Sequence, residues 1–265
     1  MAGQDIPRTV LWQKCRRGEI KDAAEAGAVA LLPIGAIEQH GPHLPLDTDS
    51  FTAFIVCTRA AERVREFPVL VLPPIWWGLS PHWMAFPGTL TLKAETLLAL
   101  IADVSESVAH HGIRRLVIVN GHAGNNGLIQ AAALKAAERG LQTAALSYWN
   151  LIPDVMLSLT ERDGGSIGHS GEMETSLQLF LQPDCVEMKD VTDEQCLDLA
   201  VRDRRYGPTQ GIYLPPTPEL DAPHGVYGIA HAGTADKGRN VVDAAADRVA
   251  EFVRHFRGND AYQPR

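Results

Sequence analysis

The chain has 265 residues, of which 45% are hydrophobic and 21% charged, and it carries a formal net charge of −8. That balance excludes intrinsic disorder and collagen-like structure, and a chain of this length buries a sizeable core without staples. The acidic excess argues against nucleic acid as a partner, because phosphate binding needs a basic face. It points instead to a metal or small-molecule site.

The N-terminal stretch MAGQDIPRTVLWQKCRRGE has no apolar run behind a basic start, so no signal peptide is expected. No segment approaches the ~20 apolar residues of a membrane span, and no membrane partner is expected. Cys15, Cys57, Cys185 and Cys196 are scattered and form no C-x-x-C pair. They read as packing residues in a reducing cytoplasm, so any metal here is held by oxygen and nitrogen. Ala28–Ile34 is a short apolar run stopped by Gly35, predicting a buried strand. A His-rich loop follows, then a helical pattern from about Asp49 to Arg65. Val69–Leu72 predicts a second strand, and Lys93–His111 a helix with Gly112 as its C′ residue. Leu116–Val119 predicts a third strand, Asn126–Arg139 a helix ended by Gly140, and Thr143–Tyr148 a fourth strand. Glu172–Leu181 reads as a helix, residues 207–225 as a long Pro- and Gly-rich loop, and Val241–Phe256 as an amphipathic closing helix. Strands alternating with helices imply parallel pairing through crossovers. The expected fold is a single α/β domain over residues 1–265, a three-layer α/β/α sandwich with a mostly parallel sheet. Ligands in such sheets bind outside the carboxyl ends of the strands.

Three segments carry metal-competent chemistry. GAIEQHGPHLPLDTDS, residues 35–50, holds Glu38, His40, His43, Asp47 and Asp49. Glu38 and His40 are two apart and point the same way in an extended loop, whereas Asp49 also suits the cap of the following helix. VIVNGHAGNNG, residues 117–127, places His122 on a glycine-rich turn between strand and helix, where Asn125 or Asn126 is a candidate cap. The turn lacks the Walker lysine and the G-x-G-x-x-G spacing of phosphate loops. GHSGEMETS, residues 168–176, holds His169, Glu172 and Glu174, with Ser170 a candidate N-cap. Glu172 and Glu174 are about 200° apart on a helix, so one facing a cleft turns the other elsewhere. Glu38, His40, Asp49, His122 and Glu172 are candidate ligands, and His169 is left as acid or base. No G-x-S-x-G elbow occurs, which removes the serine-hydrolase alternative.

The runs PIGAIEQHGPHLPLDTD, FPGT (Phe86–Thr89), NGHAGN and GHSGEMETS together resemble the creatininase superfamily of metal-dependent amidohydrolases, in that family's order. The resemblance implies an α/β sandwich, two divalent ions per chain and assembly as a homohexamer. It makes Glu38 and His122 ligands of one metal, His40 a ligand of the other, Asp49 the bridging carboxylate and His169 the catalytic histidine. The member acting on creatinine carries a Glu two residues after the NGH histidine; Gly124 stands there, and Glu172 is inferred to supply the missing ligand. That member also carries a Tyr after the histidine and a Trp lid, where this chain has Ala123 and Gly164-Gly165-Ser166. Creatinine is therefore not the expected substrate. Other members open formamides, cleave a mycofactocin peptide or hydrolyse an oxidised inositol. The expected activity is cleavage of an amide-type C–N bond by a metal-bridging hydroxide, with His169 protonating the leaving nitrogen and Glu174 orienting it. The alternatives are an oxidised inositol or lactone-like substrate on the same site, or a non-catalytic relative. The donor set suits Zn, Mn or Fe. Trp149 is the best-placed tryptophan to line a pocket, and His224 and His231 read as exposed loop residues.

Overall fold

The computed structural model describes residues 9–159, 168–194 and 222–259. Its centre is a four-stranded parallel sheet in the order β2-β1-β3-β4, built from β1 (Val29–Ile34), β2 (Val69–Val71), β3 (Arg115–Asn120) and β4 (Gln142–Ser147). β1 is buried at every position, which is why its sequence is a continuous apolar run rather than an alternating one. Val29 and Leu31 feed one core, while Ala30, Leu32 and Ile34 feed the other, as the two-residue period of a strand requires. β1 pairs with β3 along its whole length, from Val29 with Arg115 to Ile34 with Asn120.

The crossovers are α2 (Thr48–Arg63), α3 (Ala94–His110) and α4 (Asn126–Ala137). α1 (Arg17–Glu25) precedes β1, and α5 (Pro153–Leu159), α6 (Glu172–Leu181) and α7 (Ala235–Gly258) follow β4. α2, α6 and α7 pack through Val56, Leu177, Val241, Val249 and Val253 on one face of the sheet. α3 and α4 cover the other through Leu97, Ile101, Val108, Ile129 and Ala132. The result is the expected three-layer α/β/α sandwich. Gly112 and Gly140 end α3 and α4 in the left-handed region, at φ +87° and +79°, where a Cβ would be strained.

Two helices escape the periodicity. α1 buries only Ala23 and α5 only Met156, so neither shows an apolar stripe. The closing helix α7 begins before the predicted Val241, because Thr234 Oγ1 accepts the N–H of Lys237 and caps an otherwise polar first turn. Most of the predicted 207–225 loop, and Gly164-Gly165-Ser166, lie outside the described residues. Among the described residues no helix is long and apolar enough to cross a membrane.

The strand order fixes where a site forms. From β1 the chain moves outward to β2, then returns across β1 to β3. The carboxyl ends of β1 and β3 therefore flank a topological switch point, where the following loops diverge and open a crevice. The two His-rich loops leave from those ends.

Candidate metal centre

The loop after β1 is pinned at both sides. Glu38 N–H donates to the Leu46 carbonyl. Gln39 N–H donates to Thr89 Oγ1 at 3.1 Å, which gives the FPGT run its role. His40 Nδ1 lies 3.1 Å from the Glu38 carbonyl and donates to it, leaving Nε2 to face Asp49 Oδ1 at 3.2 Å. Asp49 sits in the first turn of α2 and does not cap it; Asp47 occupies the N-cap, and its Oδ1 accepts from Gln182.

The turn after β3 is closed by Asn120. Its Oδ1 accepts the His122 N–H at 3.0 Å and its Nδ2 donates to the His122 carbonyl at 2.6 Å. Asn125 stands at the N-cap position of α4, but its side chain makes no capping bond. Instead Nδ2 donates to Gly35 O and Oδ1 accepts from Leu79 N–H, tying together the loops after β1, β2 and β3. His122 Nε2 lies 3.1 Å from the Leu79 carbonyl, so Nδ1 is turned to Glu38 Oε1 at 3.3 Å and Asp49 Oδ2 at 3.1 Å. In both His40 and His122 one ring nitrogen donates to a backbone carbonyl and the other faces carboxylates. That is the arrangement of metal-ligating histidines, whose outer hydrogen bond fixes the tautomer.

The third segment departs from expectation. Gly171, not Ser170, is the N-cap of α6, and Ser170 takes a left-handed φ of 56°. The helix then splits its two glutamates as their spacing demands. Glu172 turns away from the histidines: its fully buried carboxylate sits 2.6 Å from Lys237 Nζ on α7. Glu174 turns inward, with Oε2 3.6 Å from His40 Nε2 and 2.5 Å from the Ser170 N–H. The structure therefore brings Glu174 into the cluster and leaves Glu172, the inferred ligand, outside it. Gly124 cannot host the carboxylate that the creatinine-hydrolysing member carries there. A Cβ at Gly124 would meet His122 Nε2 and stand 2.6 Å from the Leu79 carbonyl.

His169 Nε2 lies 2.8 Å from the Gln39 carbonyl and 3.0 Å from Gln39 Nε2, while Nδ1 points to Glu38 Oε1 at 3.5 Å. Trp83 stacks on its ring at 4.1 Å between centroids. Among the described residues, three groups of side chains bring one ligand atom each within 4.8 Å of the others: Glu38, His82 and His122; Glu38, His40 and His169; and His40, Asp49 and Glu174. His82 is the residue that motif reading missed. It stacks near His122 at 5.9 Å, and the Ser80-Pro81-His82-Trp83 turn just before FPGT is the signal that marks it. His43 is buried against Thr175 Oγ1 at 2.9 Å and outside these groups. His224 and His231 are exposed and paired with Glu194 and Asp193.

The electrostatics are those of a site built for cations. Glu38 Oε1 and Oε2 and Asp49 Oδ2 are buried and accept no hydrogen bond. His122 Nδ1 is within ion-pairing distance of Glu38 and Asp49 but off the hydrogen-bond direction, so these oxygens lack an aligned donor. Burial would lower the pKa of His40, but Asp49 and Glu174 outweigh it and push it up to about 10. His122 is likewise raised well above 6.5 against its burial, chiefly by Glu38. Burial raises Glu174 to about 7, opposed by His40. Asp49 is held below the usual carboxylate range because His40 and His122 overcome its burial. Burial, then protonated His40, holds His169 well below 6.5 and neutral. Protonated imidazoles thus supply the positive charge that the buried carboxylates require. Divalent ions fit the same donors: two imidazole nitrogens with their outer bonds already made, and three carboxylates.

Fold and site define a metal-dependent hydrolase on a doubly covered parallel sheet. The family model described as creatinine amidohydrolase matches residues 13–253, and the chain belongs to the creatininase family. It is 31% identical over 247 residues to the creatinine amidohydrolase of Pseudomonas putida, covering 87% of this chain and 90% of that one. It is 32% identical over 235 residues to the mycofactocin precursor peptide peptidase of Mycobacterium ulcerans, covering 84% and 85%. Solved creatininases, a manganese form and a mutant of Zn–Zn type, each align with a TM-score of 0.80 and 28% identity over 94% of this chain and 98% of theirs.

Proposed function

We propose that this chain is a binuclear metal hydrolase that cleaves an amide-type C–N bond, with Glu38, Asp49 and His122 holding one cation and His40, Asp49 and Glu174 the other. The observation that carries it is the set of buried carboxylate oxygens on Glu38 and Asp49 that accept no hydrogen bond, converging with two imidazoles whose outer nitrogens are already committed. Two divalent cations bound there supply Lewis acidity for a carbonyl oxygen and lower the pKa of a bound water. The manganese and Zn–Zn forms of the related creatininases favour Mn or Zn, and the thiolate-free donor set is consistent with Fe as well.

The chain's own groups then move the proton. His169 Nε2–H donates to the Gln39 carbonyl, so Nδ1 is the free lone pair, and it faces Glu38. Held neutral, that nitrogen accepts a proton from the attacking water and passes it to the departing nitrogen. Glu174 orients this histidine through the backbone, by accepting the Ser170 N–H. Trp83 holds the ring flat. The substrate is not creatinine, since Ala123 and Gly124 replace the groups its hydrolase carries there. The reading includes a single domain and a cytoplasmic homohexamer; sedimentation of the purified protein checks the hexamer.

Elemental analysis of protein purified without added metal tests the centre. About two ions per chain, with the loss of one or both in Asp49→Ala, support it. Zero ions, or an Asp49→Ala protein that keeps both and keeps hydrolytic activity, overturns it.

A further inference from the structure

The cluster forms only one wall of a cavity of about 400 Å³, within the range of small-molecule sites. Much of the remaining wall is the hydrophobic core itself: Met156, Met173, Leu177 and Val241 belong to the packing cluster between sheet and helices and also line the cavity, as do Tyr148 and Trp149. Packed interiors do not keep voids of this size without cost, so a chamber opened into the core calls for an occupant. α6 ties the two walls together. Leu177 is three residues beyond Glu174, about 5–6 Å away between Cβ atoms on a helix, so the apolar floor starts directly beside the carboxylate. Among the described residues no Lys or Arg lines the chamber; the nearby Lys237 is committed to Glu172 and the Ala232 carbonyl. The Tyr148 phenol stays neutral, since its burial and then Glu174 raise its pKa well above 10.

We infer that this chamber is a specificity pocket for an uncharged apolar group of about phenyl size, aromatic or branched aliphatic, attached beside the scissile amide, and that it rejects substrates carrying a carboxylate or ammonium there. The inference rests on the metal centre proposed above. The reaction is RCO–NHR′ + H₂O → RCO₂H + H₂NR′: the C–N bond breaks, water supplies the new C–O bond, and its proton goes to the leaving nitrogen. An apolar substituent gains by leaving water for the chamber, while a charged one meets no counter-ion on the floor.

Calorimetric binding to the metal-loaded protein tests this, with three hydroxamates as probes: acetohydroxamate, phenylacetohydroxamate and the monohydroxamate of malonic acid. All share the metal-binding head and differ in what enters the chamber. Phenylacetohydroxamate should bind about 10- to 100-fold tighter than acetohydroxamate, and the malonic compound should bind weaker than both. Trp149→Ala should erode the preference for phenyl. Met156→Lys, which places an ammonium on the chamber wall, should favour the malonic probe over acetohydroxamate. If it fails to fold, the wild-type ranking and Trp149→Ala still decide. Equal affinity for acetohydroxamate and phenylacetohydroxamate in the wild type overturns the apolar pocket and leaves the metal centre standing. No binding of acetohydroxamate to protein shown to hold ions overturns the reading of the centre itself.

Discussion

Replacing Lys237 with methionine deprives the Glu172 carboxylate of the ammonium now 2.6 Å from it. The Glu172 side chain is 0% exposed and that of Lys237 20%, so water cannot simply take the ammonium's place. Removing one partner of a buried pair costs about 3–5 kcal/mol, which for a chain of this size lowers the melting temperature by roughly 6–20 °C. Glu172→Gln removes the buried carboxylate instead and strands a lysine that already reaches some solvent, for a smaller loss of about 1–3 kcal/mol. In neither variant should the metal content change. Glu174→Gln should behave the opposite way. It should lose one of two ions, while the metal-free protein keeps its melting temperature, because burial already raises this carboxyl to about 7. Scanning calorimetry in chelator, paired with elemental analysis of the loaded proteins, separates the two glutamates. Loss of an ion in Glu172→Gln, with both retained in Glu174→Gln, would refute the division of labour argued from α6 and return Glu172 to the ligand set.

Metal loading near pH 7.5 should release protons from His40, whose pKa is pushed up to about 10 in the metal-free protein, and from His122, whose pKa Glu38 and Asp49 raise well above 6.5. Apparent affinity therefore climbs with pH, and pH-independent binding would count against these histidines as ligands. Without metal, His40 titrates at about 10 against 6.5 when unfolded. Its stabilisation is complete below pH 6.5 and is lost as the pH rises toward 10; melting of the chelated protein should show that fall and melting of the loaded protein should not. Gly124→Ala should displace His122 against the Leu79 carbonyl and lower metal occupancy, read by elemental analysis. His169→Ala should keep both ions but lose turnover by about 10²–10⁴-fold; near wild-type rates on a hydrolysed amide would remove it from the reaction.

Local chemistry made much of this molecule legible in one dimension. β1 and β3 are buried on both faces, so their apolar runs are unambiguous, and the alternation with helices dictates parallel crossovers. Glu38, His40 and His122 stand on loops leaving strand ends, and Asp49 at the start of the helix after the first of them, where such a sheet places its ligands. α1 and α5 bury too little to leave a periodic trace. His82 lies on an irregular turn far in sequence from the other members of the cluster, and only the folding of that turn over His122 brings it to the site. The choice between Glu172 and Glu174 is the clearest limit. Helical geometry required that they diverge, but which one faces the histidines depends on the rotation of α6, and that is set by its packing on α7, where Lys237 claims Glu172. The order of residues thus determined the layers, the switch point and most of the donors. The tertiary structure decided which glutamate joins the cluster, and it opened the apolar chamber beside it, because both depend on how a helix is turned against its neighbours rather than on the residues it contains.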